Sequence, residues 1–203
     1  SARSQWNRPP HRARRPSFSK GITISRINTN TLLKIKQKID SALKKNNEEN
    51  KKITIIAVTK THPFEYIEEA VEKGIFNIGE NKVQETEKKI KNKILPPKAK
   101  LHFIGHLQTN KVKKALLLYD YIQTVDSIKL AKKINSLSKE INKKQKVFLQ
   151  INISNKKEKK GFLTSKIMKA ATEIQNYRNI SIKGVMVIPP PTKNKKTYLG
   201  YFK

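Results

Sequence analysis

Lys60 is the residue whose position most suggests chemistry. It directly follows an apolar, β-branched run, Ile53-Thr54-Ile55-Ile56-Ala57-Val58, and precedes Thr61-His62-Pro63. An amine at the carboxyl end of a buried strand loses part of its hydration, which disfavours the charged form and lowers its pKa. A neutral amine in such a place is a nucleophile suited to forming a Schiff base with an aldehyde or ketone. The competing reading is that one of 38 lysines must end some strand and points into water; position alone favours that plainer reading. Further polar groups recur at strand ends: Glu80 and Asn81, Gly105 and His106, Asp126, Asn152 and Ser154, then Pro189. Glu80 and Asn81 read either as ligand-orienting groups or as caps of the following helix. His102 falls inside a strand and reads as a hydrogen-bonded core residue. His62 and His106 follow strands with no Cys or paired-His spacing, so no metal site is expected. No Ser/His/Asp order or paired-carboxylate spacing points to hydrolysis.

The elements that position these residues alternate along the chain. Leu32, Leu33, Ile35, Ile39 and Leu43 read as a helical face behind Asn28, Thr29 and Asn30 as candidate caps. The 53–58 run reads as a buried strand. Pro63 opens a helix with Phe64, Ile67, Ala70 and Val71 on its apolar side, and Gly74 closes it. Further strands are expected at Ile75–Ile78, Leu101–Ile104, Tyr121–Val125, Val147–Ile153 and Ile182–Ile188. Helices are expected at Val83–Ile94, Val112–Leu118, Ile128–Leu137 and Ile167–Ile174, the last two capped by Asp126 and Thr164. Six strands separated by helices predict a parallel α/β architecture, an open doubly wound sheet or a barrel. An open sheet usually carries a glycine-rich first turn, and Val58-Thr59-Lys60-Thr61-His62-Pro63 has none. Gly74-Ile75-Phe76-Asn77-Ile78-Gly79 has P-loop glycine spacing but continues Glu80-Asn81, where Lys and Ser/Thr are required. A barrel is the better reading, and barrels collect functional groups at the carboxyl ends of their strands.

Composition bounds the partners. The 203 residues carry 45 Lys+Arg against 15 Asp+Glu, a formal net charge of +30, and no Cys. Thiol catalysis, disulfides and Cys-ligated zinc are therefore excluded. Apolar runs fall far short of the roughly 18 residues that a membrane span needs. Lys, Ile and Asn, all with A/T-rich codons, supply 38, 25 and 17 residues. The lysines after residue 20 are spread through nearly every segment rather than massed as a phosphate-binding patch would be. Codon usage therefore explains the charge better than a nucleic-acid partner does. Residues 1–22 differ: Ser1–Lys20 holds five of the seven arginines, the only Trp and no acid. That segment reads as a disordered basic tail, either transit-like or a remnant of expression or reading frame, whose removal leaves the fold unaffected. Residues 23–203 read as one domain.

With those residues in place, a resemblance becomes visible. Ala57-Val58-Thr59-Lys60-Thr61 resembles the cofactor-lysine segment of the pyridoxal phosphate homeostasis proteins, relatives of the alanine racemase barrel. Four more blocks follow in the family's order: Asn77 to Glu85, His102 to Lys111, Gln150 to Ser154 and Gly184 to Pro189. The resemblance implies a parallel (β/α) TIM-type barrel of the alanine racemase N-terminal type. It implies that Lys60 bears pyridoxal 5′-phosphate as an internal aldimine, that Asn81 lies beside the ring, and that Ile104 and Met186 line the pocket. It also implies a carrier without catalytic turnover, acting in vitamin B6 homeostasis, with a racemase-like enzyme and a basic nucleic-acid-binding module as alternative readings. The expected setting is a cytoplasmic monomer handing the cofactor to pyridoxal phosphate-dependent apoenzymes, with no membrane role.

One departure from the family's pattern bears on affinity. Members continue past the sixth strand with two more βα units that supply most of the phosphate grip, and this chain stops at Tyr201-Phe202-Lys203. No residue here matches the phosphate-binding positions. The expectation is a barrel lacking its last two units, with weak binding that an extended chain would strengthen.

Overall fold

The computed structural model of the chain describes residues 27–154, 158–192 and 194–201. The basic segment 1–22 lies outside them. Helices and strands alternate: α1 (Thr29–Lys45), β1 (Ile56–Val58), α2 (Glu65–Glu72), β2 (Asn77–Glu80), α3 (Val83–Ile90), β3 (Lys100–Phe103) and α4 (Val112–Leu118). The order continues with β4 (Tyr121–Val125), α5 (Ile128–Glu140), β5 (Gln145–Asn152), β6 (Phe162–Leu163), α6 (Ile167–Gln175), β7 (Ile180–Val187) and α7 (Lys195–Gly200).

All pairings are parallel. The main sheet runs β1-β2-β3-β4-β5-β7 in chain order, while the two-residue β6 extends the β4 side of β5 at Ile151 and Asn152. A sequential parallel order with a helix after each strand is the arrangement of a β/α barrel rather than a doubly wound sheet, whose order reverses. Among the described residues, β1 pairs only with β2, and β7 only with β5, so hydrogen bonds do not close the ring. Apolar side chains stay exposed on both terminal strands, with Val58 at 48% and Val185 at 55%.

Strand alternation divides the side chains into two faces. Ile78, Leu101, Phe103, Ile122, Val147 and Leu149 point to the helices and meet Ile67, Val112, Ala115, Leu116, Leu130, Ile134 and Ile174. Burying each such chain contributes about 1.5–3 kcal/mol, so this sheet–helix layer dominates stability. The other face is more polar. His102 stacks on Tyr121 with centroids 4.4 Å apart, and its ring bridges Asn77 Oδ1 and Gln123 Nε2, both at 2.9 Å.

Several expected boundaries move for identifiable reasons. The first strand begins at Ile56 rather than Ile53, because β2 begins at Asn77 and offers nothing earlier to pair with. Gly74 ends α2 at φ +78°, with Gly74 N bonded to Val71 O and Ile75 N to Ala70 O. That double bond is the Schellman arrangement, which draws Ile75 into the turn and delays β2. Ser127, not Asp126, caps α5, accepting from Leu130 N. Thr164 opens a 3-10 turn instead of capping α6, whose N-cap position is Lys166. On α1, Asn28 is the cap, yet Leu32 alone of the expected apolar face is fully buried. The helix is tied down at its start, where Glu69 accepts from Ile27 N and the Lys73 ammonium donates to Ile27 O and Thr29 Oγ1.

Candidate functional site

The turn after β1 carries Lys60, and its neighbours on both sides are fastened. Thr59 still follows the sheet, donating N–H to Gly79 O at 3.1 Å. Its hydroxyl donates to Glu80 Oε1 at 2.6 Å, and its carbonyl accepts from Lys89 Nζ at 2.8 Å. Lys89 also pairs with Glu80 Oε1 at 2.6 Å, with Glu80 wholly buried. Thr61 sits at φ +64°, the left-handed region where a β-branched residue costs about 1–2 kcal/mol. Its N–H donates to Glu85 Oε1 at 2.5 Å, a charge-assisted bond worth roughly 1.5 kcal/mol or more, which offsets that strain. Lys60 itself is exposed, so the burial expected around its amine is not supplied by the described residues.

The register Ile56↔Asn77, Ala57↔Ile78, Val58↔Gly79 brings Lys60 and Asn81 out of the sheet at the same level. Asn81 is half-buried, and its Oδ1 is enclosed with no hydrogen-bond partner among the described residues. An enclosed acceptor without a donor costs about 1–3 kcal/mol, so it is an open position for a ligand's N–H or O–H. Two glycines shape the floor. A Cβ on Gly79 would stand 3.1 Å from Ile104 Cδ1 and 3.2 Å from Ile56 Cγ2, so the bare backbone leaves room for both side chains above β2. A Cβ on Gly105 would stand 2.0 Å from Asn81 O, so only glycine permits this approach of the two loops. Ile104 N bonds Glu80 O at 2.8 Å, and Thr124 Oγ1 donates to Gly105 O at 2.5 Å, locking the contact.

Lys60, Asn81 and Ile104 therefore gather on three adjacent strand ends. Met186 is half-buried on β7, opposite Gln150 and three strands beyond Ile104 in the sheet. Other strand-end groups lie around a second cavity, lined by His106, Asp126 and Lys159. His106 Nδ1 lies 3.4 Å from Asp126 Oδ2, and Ser154 donates to Asn152 Oδ1 at 2.8 Å while Asn152 donates to Lys159 O. His62 stacks on Tyr66 at 4.4 Å. Among the described residues no group of three or more His, Asp or Glu could hold a metal ion, and no helix is long and apolar enough to cross a membrane.

His102 is the core residue expected. It is 4% exposed, and burial outweighs the attraction of Asp120, holding its pKa down at about 4. Its partners are consistent with a neutral ring that donates from Nε2 and accepts at Nδ1. Glu80 takes neither expected role. It turns to the helix side, joins Thr59 and Lys89, and leaves Oε2 without a partner among the described residues. The sequence reading missed this network, although two signals carried it. Glu80 is two residues from the core residue Ile78 and so shares its face, and Glu85 and Lys89 have the i,i+4 spacing of a helical ion pair.

The alanine racemase N-terminal domain family model matches residues 35–200. A pyridoxal phosphate homeostasis protein of Pasteurella multocida is 36% identical over 82% of this chain and 72% of its own. One from Buchnera aphidicola subsp. Schizaphis graminum is 38% identical over 84% and 74%. Among solved structures, PipY of Synechococcus elongatus with PLP bound superposes with TM-score 0.67 at 28% identity, covering 81% of this chain and 76% of PipY. An alanine racemase of Clostridium difficile reaches TM-score 0.66 at 18% identity, over 87% of this chain and 46% of the racemase, which shows the shared fold.

Proposed function

The chain belongs to the pyridoxal phosphate homeostasis proteins of the alanine racemase N-terminal domain family, and on that premise we propose that it holds pyridoxal 5′-phosphate on Lys60 as a non-catalytic carrier. The observation that carries this is the strand-end grouping: a solvent-reachable primary amine, a donor-less acceptor at Asn81 on the next strand, and a glycine-bared floor under Ile104. These residues fit the group. When bound, the cofactor supplies an aldehyde that condenses with a primary amine, with loss of water. Lys60 would supply that amine, Asn81 Oδ1 would accept a hydrogen bond at the ring, and Ile104 would give an apolar wall. Met186 would line the far side of the same concave face.

A carrier role follows from chemistry as well as kinship. Free aldehydes of this kind react with any accessible amine, and a reversible covalent site keeps the pool available to apoenzymes while limiting side reactions. The working place consistent with that role is the cytoplasm. Racemase-like turnover would need a second acid/base group facing the lysine. Exchange of an amino acid's α-proton for solvent deuterium, dependent on Lys60, would replace the carrier reading with an enzymatic one.

Titration with pyridoxal phosphate, followed in the near-visible, tests the site. The full chain is expected to show a saturable band that Lys60→Ala lacks. An identical band and midpoint in Lys60→Ala would refute the assignment.

A further inference from the structure

Lys60 stands in a turn gripped from behind at three points, two from α3 and one from the end of β2. Lys89 holds the carbonyl of the residue before Lys60, at 2.8 Å from Thr59 O. Glu80 holds the same residue's hydroxyl at 2.6 Å. Glu85 holds the N–H of the residue after it, at 2.5 Å from Thr61 N. The three grips are joined, since Lys89 Nζ lies 2.6 Å from Glu80 Oε1 and 3.8 Å from Glu85 Oε1. Lys89 and Glu80 are buried, with side chains 6% and 0% exposed, so water does not loosen the pair.

A buried carboxylate and ammonium are a costly way to build a helix–sheet contact, because apolar residues of the same shape usually pack as stably. What the ion pair adds is direction. A charge-assisted hydrogen bond fixes a backbone carbonyl far more narrowly than apolar packing does. The turn needs such fixing, because Thr61 occupies a left-handed conformation that a β-branched residue avoids when free. Either end of the turn, released, would swing the lysine stem between them.

We infer that Lys89, Glu80 and Glu85 are positioning residues that orient the Lys60 amine toward Asn81 and so select it for the cofactor over the chain's other lysines. This deepens the proposed function and rests on Lys60 being the acceptor. None of the three touches the cofactor; they act through Thr59 and Thr61.

Selection is measurable as a ratio. The full chain is exposed to limiting pyridoxal phosphate, reduced with borohydride, digested, and the adduct on Lys60 compared with that on all other lysines. In the double variant Glu80→Gln/Lys89→Met, which leaves no orphaned charge, the ratio is expected to fall about tenfold or more, the loss of one charge-assisted bond's worth of orientation. Glu85→Ala, at a partly exposed side chain, is expected to lower it as well, and it decides the matter if the double variant does not fold. Lys89→Arg, which keeps a donor to Thr59 O and Glu80, is expected to preserve most of the preference. Variants that melt earlier yet keep the wild-type ratio while folded would reduce the network to a structural role and overturn the inference. A wild-type protein with no preference for Lys60 would instead overturn the function on which it rests.

Discussion

Acid should weaken this fold through one histidine. His102 is buried on the concave face, stacked on Tyr121 and bonded to Asn77 and Gln123, with its pKa held down at about 4 against an ordinary 6.5. Because the folded value lies below the unfolded one, the unfolded chain takes up a proton first as the pH falls. Stability is therefore complete above pH 6.5 and is lost progressively between 6.5 and about 4. At about 1.4 kcal/mol for each pH unit the full loss is about 3 kcal/mol. Rotation of the Gln123 amide, which would turn an oxygen to a protonated Nδ1, recovers part and brings the expected figure nearer 2 kcal/mol. Urea unfolding at pH 7, 6, 5 and 4 measures it, with His102→Gln as the control that cannot titrate. The wild type should lose about 2–3 kcal/mol more than the variant across that range, although the variant starts lower at pH 7. Parallel stability–pH curves for the two proteins would refute the reasoning, since carboxylate titration is common to both.

Three further outcomes follow from the geometry. Gly105→Ala must drive the β3 and β2 loops apart by about 1 Å to clear Asn81 O and is expected to cost about 3 kcal/mol in urea midpoint analysis. Ser127→Ala should destabilise by about 1 kcal/mol through the lost cap of α5, whereas Asp126→Ala should do so less, which thermal unfolding of the pair would decide. Gly74→Ala forces a side chain into φ +78° with no steric neighbour, so its cost should stay near 1 kcal/mol and lie in the backbone alone; a Gly74→Asn variant should recover part of it.

The alternation of strands and helices was legible because short apolar runs, β-branched in β1, β4, β5 and β7, alternate with segments of helical apolar period. Tyr121–Val125 and Val112–Leu118 come out at the residues expected, since each is bounded by residues of the opposite pattern. Partnering is what periodicity cannot express. Ile53 to Ile55 have strand residues but no strand to pair with among the described residues, and Phe162–Leu163 forms a strand only because β5 runs past the end of β4. The choice of Ser127 over Asp126 as cap is likewise a matter of one residue's backbone angle. At the site, the strand-end reading brought Lys60 and Asn81 together, because sequential parallel strands put consecutive loops side by side, while Ile104 came only from the family resemblance. The support behind them was not legible. Glu80 looks like a loop residue beside Asn81, yet alternation from Ile78 turns it to the opposite face, where only tertiary packing supplies Lys89 and Thr59.

The central claim is that one lysine among 38 takes the cofactor. Its most direct test is the location of the covalent adduct: equilibrate the intact protein with substoichiometric pyridoxal phosphate, reduce with borohydride, and map the modified peptide by mass. The reduced group is expected mainly on Lys60, with Lys82 and Lys111 at the background level of surface lysines. An adduct spread evenly over the lysines, or concentrated on one other than Lys60, would contradict it.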